Sequence, residues 1–274
     1  MNRPTSDSNF YTLADLLRVM ERLRDPQGGC PWDLKQNFKS IAPSTLEECY
    51  ELVDAIERDD LSHVSEELGD VLFQVIFYSQ LGAEQDAFDF AQVVDGLVKK
   101  LIRRHPHVFA GAQIEGQVTQ TLSSDEVKLN WEAIKQIERE SKSQSDLLAD
   151  IPITLPALPR AQKLQKRAAN IGFDWPHIQA VIANLEDELA ELREALASGH
   201  ADHIADEFGD VLFSAVNLGR HLKLDSETAL RHANTKFERR FSAMESTARD
   251  QGQALRDLTF DQLEALWNST KLSE

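Results

Sequence analysis

The 274-residue chain is 42% hydrophobic and 27% charged, which excludes a disordered or membrane-embedded protein and leaves room for one large domain or two ordinary ones. Its formal charge of −17 excludes a broad nucleic-acid surface, so a phosphate ligand would need a bridging metal or a local gathering of basic residues. Cys30 and Cys49 lie outside any CxxC pair and read as reduced thiols; with no apolar leader core and no run of about 18 apolar residues, a cytoplasmic location is expected.

From about Leu13 onward apolar residues return every three or four positions, and no alternating stretch reaches strand length. An all-α protein is expected, with helices at 12–24, 45–58, 63–82, 88–104 and 124–141, then 158–170, 177–198, 202–221, 226–249 and 259–271. The proline-studded IPITLPALP at 151–159 cannot continue a helix. It divides the chain into an N-terminal domain, 1–142, a linker, 143–158, and a C-terminal domain, 159–274.

The two domains repeat one another. EELGDVLF (66–73) returns as DEFGDVLF (206–213), and EECYELVDA (47–55) as DELAELREA (187–195), both displaced by 140 positions. KLIRR (100–104) returns as KFERR (236–240) at a displacement of 136, so about one helical turn separates the copies there. A duplicated helical-hairpin bundle is the expected architecture.

Each copy carries ExxE, fifteen intervening residues, then ExxD: Glu48, Glu51, Glu67, Asp70 and Glu188, Glu191, Glu207, Asp210. Residues three apart share a helix face. An antiparallel hairpin turning near residue 60 sets Glu51 level with Asp70, with Glu48 and Glu67 about 4.5 Å further along at ~1.5 Å per residue. Four carboxylates then converge. Such a cluster repels itself unless protons or cations compensate it, and all-oxygen ligation with room for water suits Mg²⁺ or Mn²⁺.

Simpler readings exist for an ExxE pair in a chain with 46 acidic residues. It is ordinarily a solvated face, and Glu47 or Glu48 would also complete a capping box opened by Ser44 or Thr45. Against the first, the helix becomes apolar nearly all round after Asp70 (VLFQVIFY) and after Asp210 (VLFSAV), so the acids open a buried helix and need partners. Against the second, Asn184 and Leu185 stand at the corresponding positions inside continuous helix, so capping cannot explain Glu188. Gly69 and Gly209, each costing about 1 kcal/mol in a helix interior, point to close approach of a neighbouring helix or ligand. A di-iron bundle would need Glu-x-x-His pairs, and the Nudix helix would need an Arg-Glu pair where Ser62 and His63 stand. The GxxxxGK[ST] phosphate loop is also absent from the sequence.

With ExxE and ExxD in duplicate, GGCPWD (28–33), RRHPHVF (103–109), RAANIGFDW (167–175) and NTKFERRF (234–241) in order, nearly the whole chain closely resembles the two-domain MazG nucleoside triphosphate pyrophosphohydrolases. The resemblance implies an all-α NTP pyrophosphohydrolase fold, Mg²⁺ held by Glu188, Glu191, Glu207 and Asp210, and hydrolysis of an NTP to NMP and pyrophosphate. It also implies that Asn234 and Lys236 contact the nucleotide, Arg239 and Arg240 the phosphates, and Trp267 the base or sugar, with Asn184 and His203 as further contacts. Asp187 and Asp206 stand where glutamate is common in the family. The resemblance implies that the C-terminal unit holds the main active site; the N-terminal copy keeps Glu48, Glu51, Glu67, Asp70, Lys100, Arg103 and Arg104, which leaves its own turnover open, while Val98 in place of the equivalent of Asn234 points to a quieter site there.

Without that resemblance, Lys236, Arg239 and Arg240 would read as a solvated helix face and Trp267 as packing. No Ser/His/Asp or Cys/His arrangement is legible, so a metal-activated water is the expected nucleophile at the α-phosphorus. The rival from another class is a regulatory helical module that binds nucleotide without turnover. Short hairpins with wide apolar faces further predict a homodimer.

Overall fold

The computed structural model describes residues 10–109 and 147–272, together with scattered positions between 111 and 138. All regular elements among the described residues are helices, and the chain divides into two compact units, 1–136 and 137–274.

Unit 1 contains α1 (Leu13–Leu23), α2 (Phe38–Glu57), α3 (Leu61–Ala83) and α4 (Phe90–Arg104). Unit 2 contains α5 (Ala157–Ala169), α6 (Ile178–Ser198), α7 (Ala201–His221), α8 (Ser226–Asp250) and α9 (Phe260–Leu272). In each, an antiparallel hairpin forms the centre, α2 on α3 and α6 on α7. The starts of α2 and α6 lie 140 positions apart, the displacement of the sequence repeat.

The helix expected from residue 45 begins seven residues earlier, at Phe38. Asn37 caps it, accepting from the amides of Lys39 at 3.0 Å and Ser40 at 3.2 Å, while Ser40 Oγ accepts from the Asn37 amide at 2.8 Å. Ser44 and Thr45 are therefore inside the helix, and capping explains Glu48 no better than Glu188. Pro43, which hid this start, is the sixth residue of α2 and leaves the Lys39 carbonyl without its i→i−4 amide donor.

Unit 1 is built on a core of Met20, Ile41, Ile76, Phe77 and Leu81, against which Phe38, Phe73, Tyr78 and Phe90 pack. Arg24, almost wholly buried, donates through Nε and Nη2 to Glu84 at 2.7 and 2.6 Å and through Nη1 to the Asp33 carbonyl, tying the GGCPWD loop to the end of α3. Gly29 is required in that loop, since a Cβ there would collide with the Leu23 and Asp25 carbonyl oxygens.

The described positions of the helix expected at 124–141 are helical, among them Trp131, whose ring meets His105 edge-on at 4.9 Å. Leu147 and Asp150 both bind Arg167 of α5, at 2.8 and 2.6 Å, and Ile151 is buried. The described part of the segment expected as a linker therefore folds onto unit 2.

The expectation that α3 and α7 are buried all round from Asp70 and Asp210 is not met. Leu72 and Val75 of α3, and Leu212 and Phe213 of α7, are exposed. Nor does any described residue outside its own helix approach Gly69 or Gly209: a Cβ at either would meet nothing within 4 Å there.

Candidate active site

The hairpin turns set the register of the acids. Asp59 takes a left-handed conformation (φ 55°) after α2, and Asp60 caps α3 through the His63 amide at 3.1 Å. At the same place in the second copy Gly199 is left-handed (φ 72°) and ends α6. This register brings carboxylate oxygens of Glu48, Glu67 and Asp70 all within 4.8 Å of one another, and those of Glu188, Glu207 and Asp210 equally close. Glu51 and Glu191 stand one helical turn along, at exposed positions outside these triplets.

The clusters carry the strain expected of crowded like charges. Burial, followed by the charges of Asp70, Glu51 and Glu67, pushes Glu48 above the usual carboxylate range. The nearby Glu207 carboxylate, then burial and Glu188, push Glu191 up. Glu51 and Glu191 are thus coupled to the triplets through the field, although their oxygens lie outside them.

Both copies add a histidine that sequence reasoning weighed in only one. His63 Nε2 lies 2.8 Å from Glu67 Oε1, and His203 Nε2 lies 3.0 Å from Glu207 Oε1. The signal was available as His-x-x-x-Glu in both repeats. The other oxygen of each glutamate, Oε2, is enclosed and has no hydrogen-bond partner. The two side chains are only 8% and 12% exposed. An enclosed, unpartnered carboxylate oxygen among two further carboxylates is costly alone, and a hard divalent cation would compensate it. The residues present therefore fit Mg²⁺ or Mn²⁺ in either copy.

In unit 2 a cavity of about 580 Å³ adjoins this cluster, with Glu188 and Asn184 in its wall. Phe173, Trp175 and Phe213 provide apolar walls, while Gln165, Ser214 and Asn217 provide polar ones. Asn184 Nδ2 donates to Ser214 Oγ at 2.8 Å and to Glu188 Oε1 at 3.3 Å, so Asn184 and Ser214 orient the carboxylate. The loop bearing Phe173 and Trp175 is fixed by Asp174, which accepts from Arg220 Nη1 at 2.9 Å and also pairs with Arg220 Nη2 and with His221 Nε2 at 3.0 Å. Of these cavity residues only Glu188 and Asn184 were singled out from sequence. The RAANIGFDW motif held Phe173, Asp174 and Trp175 in view, but nothing in one sequence joins them to Ser214, Asn217 and Arg220.

The Arg220 hydrogen bonds hold the Asp174 carboxyl down at about 2, from an ordinary 3.8. A depressed carboxylate stabilises the fold fully above its unfolded value and ceases to do so as pH falls through its folded one. Asp174→Asn should therefore flatten the fall in urea-denaturation midpoint between about pH 4 and pH 2 relative to the wild-type protein.

The remaining expected contacts lie on α8 and α9. Trp267 packs against Phe237 at 5.3 Å, and its ring faces the Arg240 guanidinium at 5.9 Å and Lys271 Nζ at 5.6 Å. Asn234, Lys236 and Arg239 occupy exposed positions on α8, and neither they nor Trp267 line the cavity.

An all-α protein with two hairpins, each presenting converging carboxylates suited to a divalent cation, matches one known family in both copies. The MazG nucleotide pyrophosphohydrolase domain matches residues 36–109 and 177–243. The chain is 46% identical over 261 residues to the nucleoside triphosphate pyrophosphohydrolase of Escherichia coli (strain K12), covering 94% of this chain and 97% of that one. It is 41% identical over 257 residues to the nucleoside triphosphate pyrophosphohydrolase/pyrophosphatase MazG of Thermotoga maritima, covering 94% of each. The protein belongs to the MazG family of nucleotide pyrophosphohydrolases and is a hydrolase.

Proposed function

We propose that the protein hydrolyses nucleoside triphosphates to nucleoside monophosphate and pyrophosphate, chiefly in unit 2, with a divalent cation held by Glu188, Glu191, Glu207 and Asp210. The observation that carries this reading is the enclosed, unpartnered Glu207 Oε2 among converging carboxylates beside a nucleoside-sized cavity. When bound, Mg²⁺ or Mn²⁺ would offset phosphate charge and acidify a water for attack on the α-phosphorus. Asn184 and Ser214 orient Glu188, and His203 engages Glu207 Oε1, leaving Oε2 for the cation. Asn234, Lys236, Arg239 and Arg240 on α8 would meet the phosphates. Trp267, flanked by Phe237, Arg240 and Lys271, would position Arg240 more than offer a face to the base.

Unit 1 keeps the carboxylates Glu48, Glu51, Glu67 and Asp70 but differs beside them. At the positions of Ser214 and Asn217, 140 residues earlier, it has Gln74 and the wholly buried Phe77. A metal fits there more readily than a nucleotide does.

The reaction is tested by incubating the purified chain with each NTP, with and without Mg²⁺, and separating products by anion exchange. NMP with pyrophosphate, formed only with metal, is expected. NDP with phosphate would overturn the α-phosphorus assignment, and metal-dependent binding without product would favour a non-catalytic nucleotide-binding module.

The apolar stripes around Gly69 and Gly209 are those a second copy of the chain would cover, so a homodimer is part of this reading. Sedimentation equilibrium should return twice the 30.9 kDa chain mass, and a purely monomeric species would refute it. No helix among the described residues is long and apolar enough to cross a membrane, which fits the proposed cytoplasmic location.

A further inference from the structure

Each unit ties the loop in front of its hairpin to the hairpin's far end through one arginine–carboxylate pair, but the charges are exchanged. In unit 1 the arginine is on the loop side, Arg24 at the end of α1, and the carboxylate is Glu84, directly after α3. In unit 2 the carboxylate is on the loop, Asp174 between α5 and α6, and the arginine is Arg220 in the last turn of α7. At the position of Arg220, 140 residues earlier, unit 1 has Gln80, which donates to Glu84 at 3.1 Å. The Arg24 side chain is 7% exposed, whereas Asp174 is 26% exposed and stands in the cavity wall.

We propose that Asp174 and Arg220 form a clasp that holds residues 171–176 in place as a wall of the unit 2 site, and that both are positioning residues for the reaction. This rests on the nucleotide reading above, and it concerns the loop that shapes the site rather than the groups that hold the metal.

Little else fixes this stretch. Its first residues finish α5: Gly172 is left-handed (φ 87°), its amide donates to the Ala169 carbonyl at 3.0 Å, and the Phe173 amide donates to the Ala168 carbonyl at 3.1 Å. Among the described residues, the hydrogen bonds that join 171–176 to another helix are all made by Asp174. Asp174 Oδ1 also accepts from the Trp175 amide at 2.9 Å, so the carboxylate that meets α7 sets the backbone direction at Trp175. Burial does not replace the clasp, since Ile171, Phe173 and Trp175 are 63%, 80% and 42% exposed. Asn217 Oδ1 accepts from Arg220 Nε at 3.1 Å and Nη2 at 2.7 Å, which aims the guanidinium at the loop in advance. A neutral residue at 174 keeps the shape but removes the charge that strengthens every one of these bonds.

The test compares the full-length wild type with Asp174→Asn by hydrogen–deuterium exchange of peptides spanning 170–177 and by NTP kinetics in Mg²⁺. Exchange in that segment should rise at least about 10-fold, and KM at least about 10-fold with kcat changed less than about 3-fold. The Mg²⁺-induced rise in melting temperature, which reports the untouched acids, should match the wild type. Arg220→Gln, which installs the unit 1 residue, should act in the same direction, and the double variant should raise KM no further than the stronger single one. Should Asp174→Asn fail to fold, Arg220→Lys, which keeps the charge but loses the paired geometry, decides in its place. Unchanged exchange at 170–177, or single effects on KM that multiply in the double variant, overturns the clasp. Raised exchange with KM unchanged overturns the positioning role while the activity stands. If the wild type hydrolyses no NTP, the nucleotide reading falls and exchange alone decides the clasp.

Discussion

Glu188→Gln is expected to lower metal-dependent NTP turnover at least about 10³-fold, about 4 kcal/mol of transition-state stabilisation, without loss of fold. The side chain keeps its shape, and Ser214 Oγ, which lies 3.5 Å from Oε1, can hydrogen-bond an amide as well as a carboxylate. What is lost is one unit of negative charge in a triplet whose oxygens lie within 4.8 Å of one another. Glu188 is among the charges that push Glu191 up, so its neutralisation relieves repulsion. The metal-free variant should consequently melt at or above the wild-type temperature while its Mg²⁺-induced increase in melting temperature shrinks. Glu48→Gln, the same change in unit 1, should leave turnover within about twofold, since Phe77 and Gln74 stand where unit 2 has its cavity residues. A loss in Glu48→Gln with activity retained in Glu188→Gln would transfer the active site to unit 1.

The acids were legible because helical periodicity and the 140-residue repeat are local properties of the chain. Spacing alone placed four carboxylates per hairpin on facing surfaces, and the structure brings three of each four within 4.8 Å. Glu51 and Glu191 escape because the prediction levelled Glu51 with Asp70, whereas the turn at Asp59 and Gly199 sets Glu48 and Glu188 beside those aspartates. The early start of α2 was obscured by Pro43, although the copy beginning at Ile178 would have revealed it. Burial of α3 and α7 was misjudged for another reason: an apolar stripe in sequence does not say whether its partner is in the same chain. The cavity was least legible, because Gln165, Asp174, Ser214 and Asn217 come from α5, the following loop and α7, and only packing joins them.

Phe77→Ala is expected to be among the most destabilising single substitutions in unit 1, at about 3–5 kcal/mol. The ring is 0% exposed, meets Phe73 edge-on at 5.8 Å and lies under the Arg24 guanidinium at 5.3 Å. Truncation opens a void among Met20, Ile41, Ile76 and Leu81, and it also strips packing from Arg24, whose pairing with Glu84 holds the GGCPWD loop. A urea titration should show the midpoint falling by about 1–5 M, given a slope of about 1–3 kcal/mol per molar. Under native conditions turnover should persist, because every residue of the unit 2 cluster and cavity is untouched. The contrast with Asn217 gives the measurement its functional meaning. Unit 2 forgoes this aromatic burial at the equivalent position, so part of its stabilisation is expected to come from an occupied pocket. Monophosphate in Mg²⁺ at about 100 times its dissociation constant should then add about 2.7 kcal/mol to unit 2. The same addition should leave the Phe77→Ala loss in unit 1 unrepaired; full recovery of the midpoint by nucleotide would place the nucleotide in unit 1 instead.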